Sequence, residues 1–262
     1  MERNTKPKSP DEYVRWLCDE TKQTPDQLQN RYHARVESMR QAVTASPFWQ
    51  GLPNELERAD AEFRREFGTE LLMPNTRLEL LTKPFSSVVD KAYRVECLNN
   101  ENWPRPTGAD PLEPANYHNR FHDLVRAAIY VRFLDGAPWL CERLEAFGAS
   151  CATAAAHEMR ALPSGYYAMH LSADFSATVQ TRTWETENIT FKTEIQIATM
   201  TQWVLRTLSH QIYQRQRLEE LQQVEAWRWQ PASEEFKATY LGHLLHQADG
   251  LMVELRSRQG GR

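Results

Sequence analysis

The chain has 262 residues, of which 41% are hydrophobic and 25% charged, with 10 Gly and 14 Pro. Those proportions fit a globular protein able to bury a core and exclude disordered, collagenous and coiled-coil chains. A mean hydropathy of −0.66 and apolar runs far shorter than the ~20 residues of a bilayer span exclude a membrane protein, and a net charge of −4 with pI near 6.1 leaves any polyanion to a local patch.

In chain order, Ser9-Pro10-Asp11-Glu12 and Thr24-Pro25-Asp26-Gln27 both carry the capping box with Pro at the first helical position, so two helices are predicted to start there. After the second, Leu28, Tyr32, Val36, Met39 and Val43 recur at helical spacing. A third helix is predicted from Pro53, with Leu56, Phe63 and Phe67 inward, and Asn102 to Ala115 is the clearest long loop. The period then changes to two: Ala127 to Leu134, His170 to Phe175, Thr178 to Trp184 and Ile189 to Ala198 alternate as strands, with Glu187-Asn188 as a turn. Helical spacing returns with a cap at Thr199 and Gln202, followed by Met200, Trp203, Val204, Leu208 and Ile212. A last helix begins near Ser233 and sets Phe236, Tyr240, Leu241, Leu244, Leu245 and Ala248 on one face. Helix, sheet, helix is an α+β order, here a mixed sheet of about five strands flanked by helices. The expected organisation is a helical segment over 1–70, a core over 71–225 and a C-terminal helix and tail over 226–262, together one compact domain.

No apolar run follows the charged N-terminus, so a cytoplasmic location is expected. Cys18, Cys97, Cys141 and Cys151 form no C-x-x-C pair and read as thiols of a reducing compartment.

Residues suited to chemistry are spread along the chain. Lys83, Ser87, Lys91 and Arg94 recur every three or four residues, so a helix beginning near Ser87, with Asp90 completing its cap, brings cations to a helix start able to cradle phosphates. A solvated basic face explains the spacing equally simply. Asp123 precedes one strand and Glu194 lies within another; two carboxylates on neighbouring strands can share Mg²⁺, and one can take a proton from an attacking hydroxyl. An exposed strand acid is the plainer alternative for each. His118 and His122-Asp123 have too few companions for a metal hydrolase. Gly165 permits a tight turn from which Tyr166 can stack on a base. Arg206, His210, Tyr213 and Arg217 form a polar stripe which, with Arg215, suits phosphate-backbone contacts.

The order of these features is more specific than any one of them. Lys83-x-x-x-Ser87-x-x-x-Lys91, then Asp123-Leu124-Val125, then Gly165-Tyr166-x-x-x-His170, then Glu194-Ile195-Gln196-Ile197 before His210 and Tyr213, resembles the synthetase domain of RelA/SpoT-type alarmone synthetases. The resemblance spans about Arg77 to Tyr213, and Tyr240 to His246 looks like the extra helix of the short, single-domain members. It implies a nucleotidyltransferase-like mixed sheet and transfer of pyrophosphate from ATP to the 3′-hydroxyl of a purine nucleotide, with Mg²⁺.

By the same resemblance Lys83, Ser87, Lys91, Arg94 and Arg77 bind ATP, and Asp123 and Glu194 are the catalytic and Mg²⁺-holding acids. Tyr166, His170 and Gln196 meet the acceptor. The sequence departs from the alarmone synthetases where they carry arginines: Ala128, Tyr167 and Ala198 stand at those places, and Leu81 replaces the arginine before the first lysine. Gly-Tyr-Tyr-Ala and Glu-Ile-Gln-Ile-x-Thr instead look like the toxic small alarmone synthetases. Those pyrophosphorylate the 3′-terminal adenosine of tRNA, which implies tRNA contacts at Arg215 and Arg217 and a separate antitoxin protein. A nucleotide alarmone synthetase making (p)ppGpp or (p)ppApp, and a silent binding module of the same fold, are the competing expectations.

Overall fold

The computed structural model describes residues 5–74, 76, 78–183, 185–208 and 226–260. Of the predicted site residues, Arg77, His210, Tyr213, Arg215 and Arg217 lie outside them.

Helix α1 (Pro10–Thr21) starts where Ser9 Oγ accepts from the Glu12 N–H at 3.2 Å, and Glu12 turns back to the Lys8 N–H at 2.9 Å. Helix α2 (Pro25–Ala45) has the reciprocal box: Thr24 Oγ1 accepts from the Gln27 N–H at 3.2 Å and Gln27 Oε1 from the Thr24 N–H at 2.9 Å. A cap of this kind contributes roughly 1 kcal/mol. Each of the five predicted inward residues, from Leu28 to Val43, is buried, and at about 1.5–3 kcal/mol per side chain their packing outweighs the cap in holding α2. Helix α3 (Pro47–Phe67) begins six residues before the predicted Pro53, because Ser46 accepts from the Trp49 N–H at 3.1 Å with Pro47 at the first helical position. Pro53 sits inside the helix.

Strand β1 (Leu81–Thr82) pairs antiparallel with β2 (Val125–Val131), Leu81 opposite Arg126 and Thr82 opposite Val125. Between them runs α4 (Phe85–Tyr93), which opens after Pro84 with no side-chain cap, earlier than the predicted start at Ser87. Helix α5 (Gly136–Ser150) and strand β3 (Ala155–Ala161) follow; neither is foreseen in the sequence. The two predicted strands at His170 and Thr178 are one 14-residue strand, β4 (Tyr167–Gln180). It turns at Thr181–Glu185, closed by Thr181 N–H to Glu185 O at 2.8 Å, so Glu187-Asn188 belongs to β5 (Thr186–Thr199) and not to a turn. The sheet is mixed, in the order β1-β2-β5-β4-β3, with β3 and β4 antiparallel in the register Ala161 opposite Tyr167. Helical residues 200–208 (α6) and helix α7 (Glu234–Gly260) complete the described chain.

The chain divides into two compact units. The first comprises Met1–Ala45, Leu80–Arg126 and Asp174–Thr193. Its core is aromatic: Tyr13, Tyr32 and Tyr117 are essentially fully buried, and the Tyr13 hydroxyl donates to Leu112 O at 2.9 Å. The second comprises Ser46–Glu79, Ala127–Ala173 and Glu194–Arg262. Phe48, Leu52, Phe63, Leu71, Ile129 and Leu140 fill it, with Phe63 meeting Trp139 edge-on at 5.2 Å.

In that second unit α7 corrects the periodicity reading. Tyr240, Leu241 and Leu244 are exposed, and the buried residues are Ala238, Thr239, Gly242 and Asp249. The docking is polar and close: Asp249 accepts from the Thr199 and Thr201 hydroxyls, and Gln202 Nε2 donates to Gly242 O at 3.1 Å. On α6, likewise, the predicted inward residues Trp203, Val204 and Leu208 are exposed, and Gln202 and Leu205 are buried. Among the described residues no helix is long and apolar enough to cross a membrane.

Candidate active site

Two side-chain clusters gather the predicted residues, one in each unit. In the first unit, Lys83 follows β1 and its N–H donates to Leu124 O at 2.9 Å, which fixes the lysine beside Asp123. Tyr32 donates from α2 to Lys83 O at 2.5 Å. Lys83 Nζ bonds to Asp123 Oδ2, and Lys91 reaches from α4 to Asp123 Oδ1 at 2.8 Å. The Lys91 ammonium also lies 4.8 Å from the Phe121 ring centroid.

Both members of the tightest pair are buried, with 12% and 13% of the Lys83 and Asp123 side chains exposed. Burial pushes the Asp123 carboxyl up, but the two lysines outweigh it and hold the group well below the usual carboxylate range. Burial also draws the Lys83 pKa down, against the opposing pull of Asp123. Two ammoniums facing one carboxylate leave a net positive charge, which a phosphate anion can neutralise. Ser87 lies in the first turn of α4, half-buried, and Arg94 stands one turn beyond Asp90, whose raised pKa it opposes.

In the second unit the side chains form a closed ring of contacts. The Tyr166 hydroxyl bonds to His170 Nε2 at 2.7 Å with the rings at 89°. His170 Nδ1 stands 3.0 Å from Glu194 Oε2, as close as an ion pair but without hydrogen-bond alignment. Gln196 Nε2 donates to Glu194 Oε1 at 2.5 Å, Arg206 donates to Gln196 Oε1, and the Arg206 guanidinium stands 5.5 Å from the centre of the Tyr166 ring. Glu194 thus has one oxygen hydrogen-bonded to Gln196 and the other close to His170, with 13% of its side chain exposed.

Arg206, which the sequence offers as one cation of the polar stripe on α6, joins this ring through Gln196 and Tyr166. Its sequence signal is its position one turn after the buried Gln202, on the same face of α6.

The turn that presents Tyr166 is rigidly built. Gly165 adopts φ 78°, and Leu162 N–H donates to Tyr166 O at 2.9 Å across it. A Cβ on Gly165 would lie 2.4 Å from Thr239 O, and one on Gly242 would lie 2.4 Å from Gly165 O, so the turn and α7 meet backbone to backbone. Beside this contact Tyr167 stacks on His246 at 3.6 Å and bonds to His243 Nδ1 at 2.8 Å.

Asp123 and Glu194 offer hard oxygen donors of the kind Mg²⁺ takes. No group of three or more His, Cys, Asp or Glu forms a ligand set among the described residues. Each carboxylate therefore fits Mg²⁺ only with substrate phosphates completing the shell.

The architecture is that of the small alarmone synthetases: a mixed five-stranded sheet with flanking helices. Small alarmone synthetase 1 of Bacillus subtilis bound to its product pppGpp superposes with a TM-score of 0.50 at 17% identity, over 80% of this chain and 91% of that one. The same enzyme bound to AMPCPP gives 0.48 at 16% identity over 82% and 95%, and a GTP pyrophosphokinase family protein from Streptococcus pneumoniae gives 0.48 at 16% over 81% and 90%. No protein-family model and no curated protein matches the sequence.

Proposed function

We propose that the protein is an ATP-dependent pyrophosphokinase whose acceptor is the 3′-hydroxyl of the terminal adenosine of tRNA. The observation that carries the proposal is the environment of Glu194, a partly buried carboxylate oriented by His170 and Gln196 beside the half-exposed Tyr166 ring. A general base needs that fixed orientation, and a purine needs that ring face. The resemblance to pyrophosphokinases in motif order, and the likeness of fold to a small alarmone synthetase, support pyrophosphoryl transfer from ATP and do not bear on the choice of acceptor.

In this mechanism the ATP phosphates take the Lys83 and Lys91 ammoniums from Asp123, which frees its oxygens. Glu194 accepts the proton of the 3′-hydroxyl as that oxygen attacks the β-phosphorus of ATP. The α,β-bridging P–O bond breaks, the β,γ-pyrophosphoryl group passes to the acceptor, and AMP departs. Tyr166 holds the adenine, His170 steadies the phenol, and Arg206 braces Gln196. Mg²⁺ held by Asp123 would supply charge neutralisation at the phosphates. Ala128, Tyr167 and Ala198 leave no guanidinium at those places for the phosphates of a free guanine nucleotide, which favours an acceptor held elsewhere along its chain.

The decisive experiment supplies γ-labelled ATP with tRNA, with tRNA lacking its terminal adenosine, and with GDP, GTP and ADP. Label in intact tRNA alone is the expected result. Label only in the free nucleotides would replace this reading with alarmone synthesis, and no label anywhere would support a silent module. Expression in bacteria is expected to arrest growth and to require the neutralising antitoxin that we propose as the partner.

A further inference from the structure

A groove of about 920 Å³ opens in the first unit between the start of α2, the Pro114–Ala115 loop and the turn joining β4 to β5. Its lining includes four cations, Lys22, Arg31, Arg35 and Arg182, and no Asp or Glu. In a chain of net charge −4 that is a marked local excess. None of its described lining residues is aromatic; amides and hydroxyls from Gln23, Thr181 and their neighbours fill the rest.

The site is built and not merely basic. Arg35 is 92% buried at 8% exposure; it pairs with Glu187 at 2.8 Å through one terminal nitrogen, yet its Nε has no hydrogen-bond partner. Gln23 accepts from Arg31, while its own buried Nε2 has no partner. Among the described residues, Lys22 and Arg182 donate to backbone carbonyls, those of Asp19 at 2.7 Å and Thr21 at 2.6 Å. Burial lowers the Arg31 pKa; Glu113 opposes this, and the nearby Arg182 and Arg35 add to it, as expected of cations crowded together. Buried donors left unsatisfied beside crowded cations call for an anion with many acceptor oxygens.

We propose that this groove binds the sugar-phosphate backbone of RNA and so holds the body of the acceptor while its 3′ end is modified. The inference rests on the tRNA reading above. Cations with amides and hydroxyls, and no described ring to stack a base, suit contact with phosphate and ribose more than recognition of a mononucleotide.

The test uses the full chain and fluorescence anisotropy with labelled tRNA across a salt series, comparing the parent with Arg31→Gln/Arg182→Gln. Arg35 is left in place because its own side chain is buried and its loss would perturb packing. We expect about a tenfold loss of tRNA affinity at low salt and a log–log salt slope shallower by about one to two units. ATP binding is expected to be unchanged, and Arg31→Lys/Arg182→Lys should recover most of the affinity. Equal affinity and slope in parent and double Gln variant would overturn the proposal. Binding of inorganic tripolyphosphate, with no binding of tRNA, would overturn it too, in favour of a small-anion site. If tRNA binds through the groove but takes no label, the acceptor reading fails and the groove stands. If both forms bind and label tRNA alike, the groove fails and the acceptor reading stands.

Discussion

Glu194 is the side chain on which the chemistry turns, and its neighbours divide the work. His170 and Gln196 engage one oxygen each, so Glu194→Gln keeps the shape of the ring and removes only the proton acceptor. A drop in turnover of about 10²–10⁴-fold is expected, with ATP affinity close to the parent's, measured by single-turnover labelling and equilibrium binding. Asp123 makes a separate, thermodynamic prediction. Its pKa is depressed in the folded chain, so its contribution to stability is complete above the unfolded carboxyl's value of about 4 and is lost as pH falls below that. Asp123→Asn should therefore lower stability at pH 6 and flatten the decline between pH 5 and pH 3, as urea midpoints at each pH would show; an unchanged acid limb would contradict the lysine clamp. The residue types of both clusters were legible in the sequence. What was not legible is that Asp123 is claimed by two lysines and that Arg206 closes the second ring, because ten residues of strand and helix separate Arg206 from Gln196 without any periodic relation.

At the scale of elements, α7 and the Gly165 turn behave as one device. The helix comes so close that neither glycine tolerates a Cβ without backbone movement, and the contact lies one residue from Tyr166. Gly242→Ala is expected to destabilise the protein by about 1–3 kcal/mol and to raise the acceptor KM more than the ATP KM. Thermal unfolding and steady-state labelling with each substrate varied would test this, and an equal rise in both KM values would show that the turn does not serve the acceptor. Helix starts were the most readable elements, since Ser9, Thr24 and Ser233 each accept an N–H from three residues ahead. The face of α7 was misread because its docking surface is made of Gly242, Thr239 and Asp249, which are small or polar and carry no hydrophobic signal; Asp249 is paired with Thr199 and Thr201.

For the molecule as a whole, pH provides a further check. His118 is buried near Arg35, and burial lowers its pKa to about 4, with Arg35 adding to the shift and Glu187 opposing it. The folded chain keeps this imidazole neutral, whereas the unfolded chain protonates it below about 6.5. The sign follows: stability is full above that value and declines as pH falls toward 4, by on the order of 2 kcal/mol between pH 7 and pH 5. His118→Gln should reduce that decline in urea titrations at the two pH values, and an identical decline would remove His118 from the account. The amino-acid sequence alone determined where helices begin, which chemical groups are available and the order in which they occur, because caps and motif spacing are local properties of a chain. Tertiary structure alone decided the lysine clamp on Asp123, the contact ring around Glu194, the buried side of α7 and the cationic groove beside α2. Each of these arises from side chains tens of residues apart, whose proximity is set by sheet order and packing and by no pattern within a single segment.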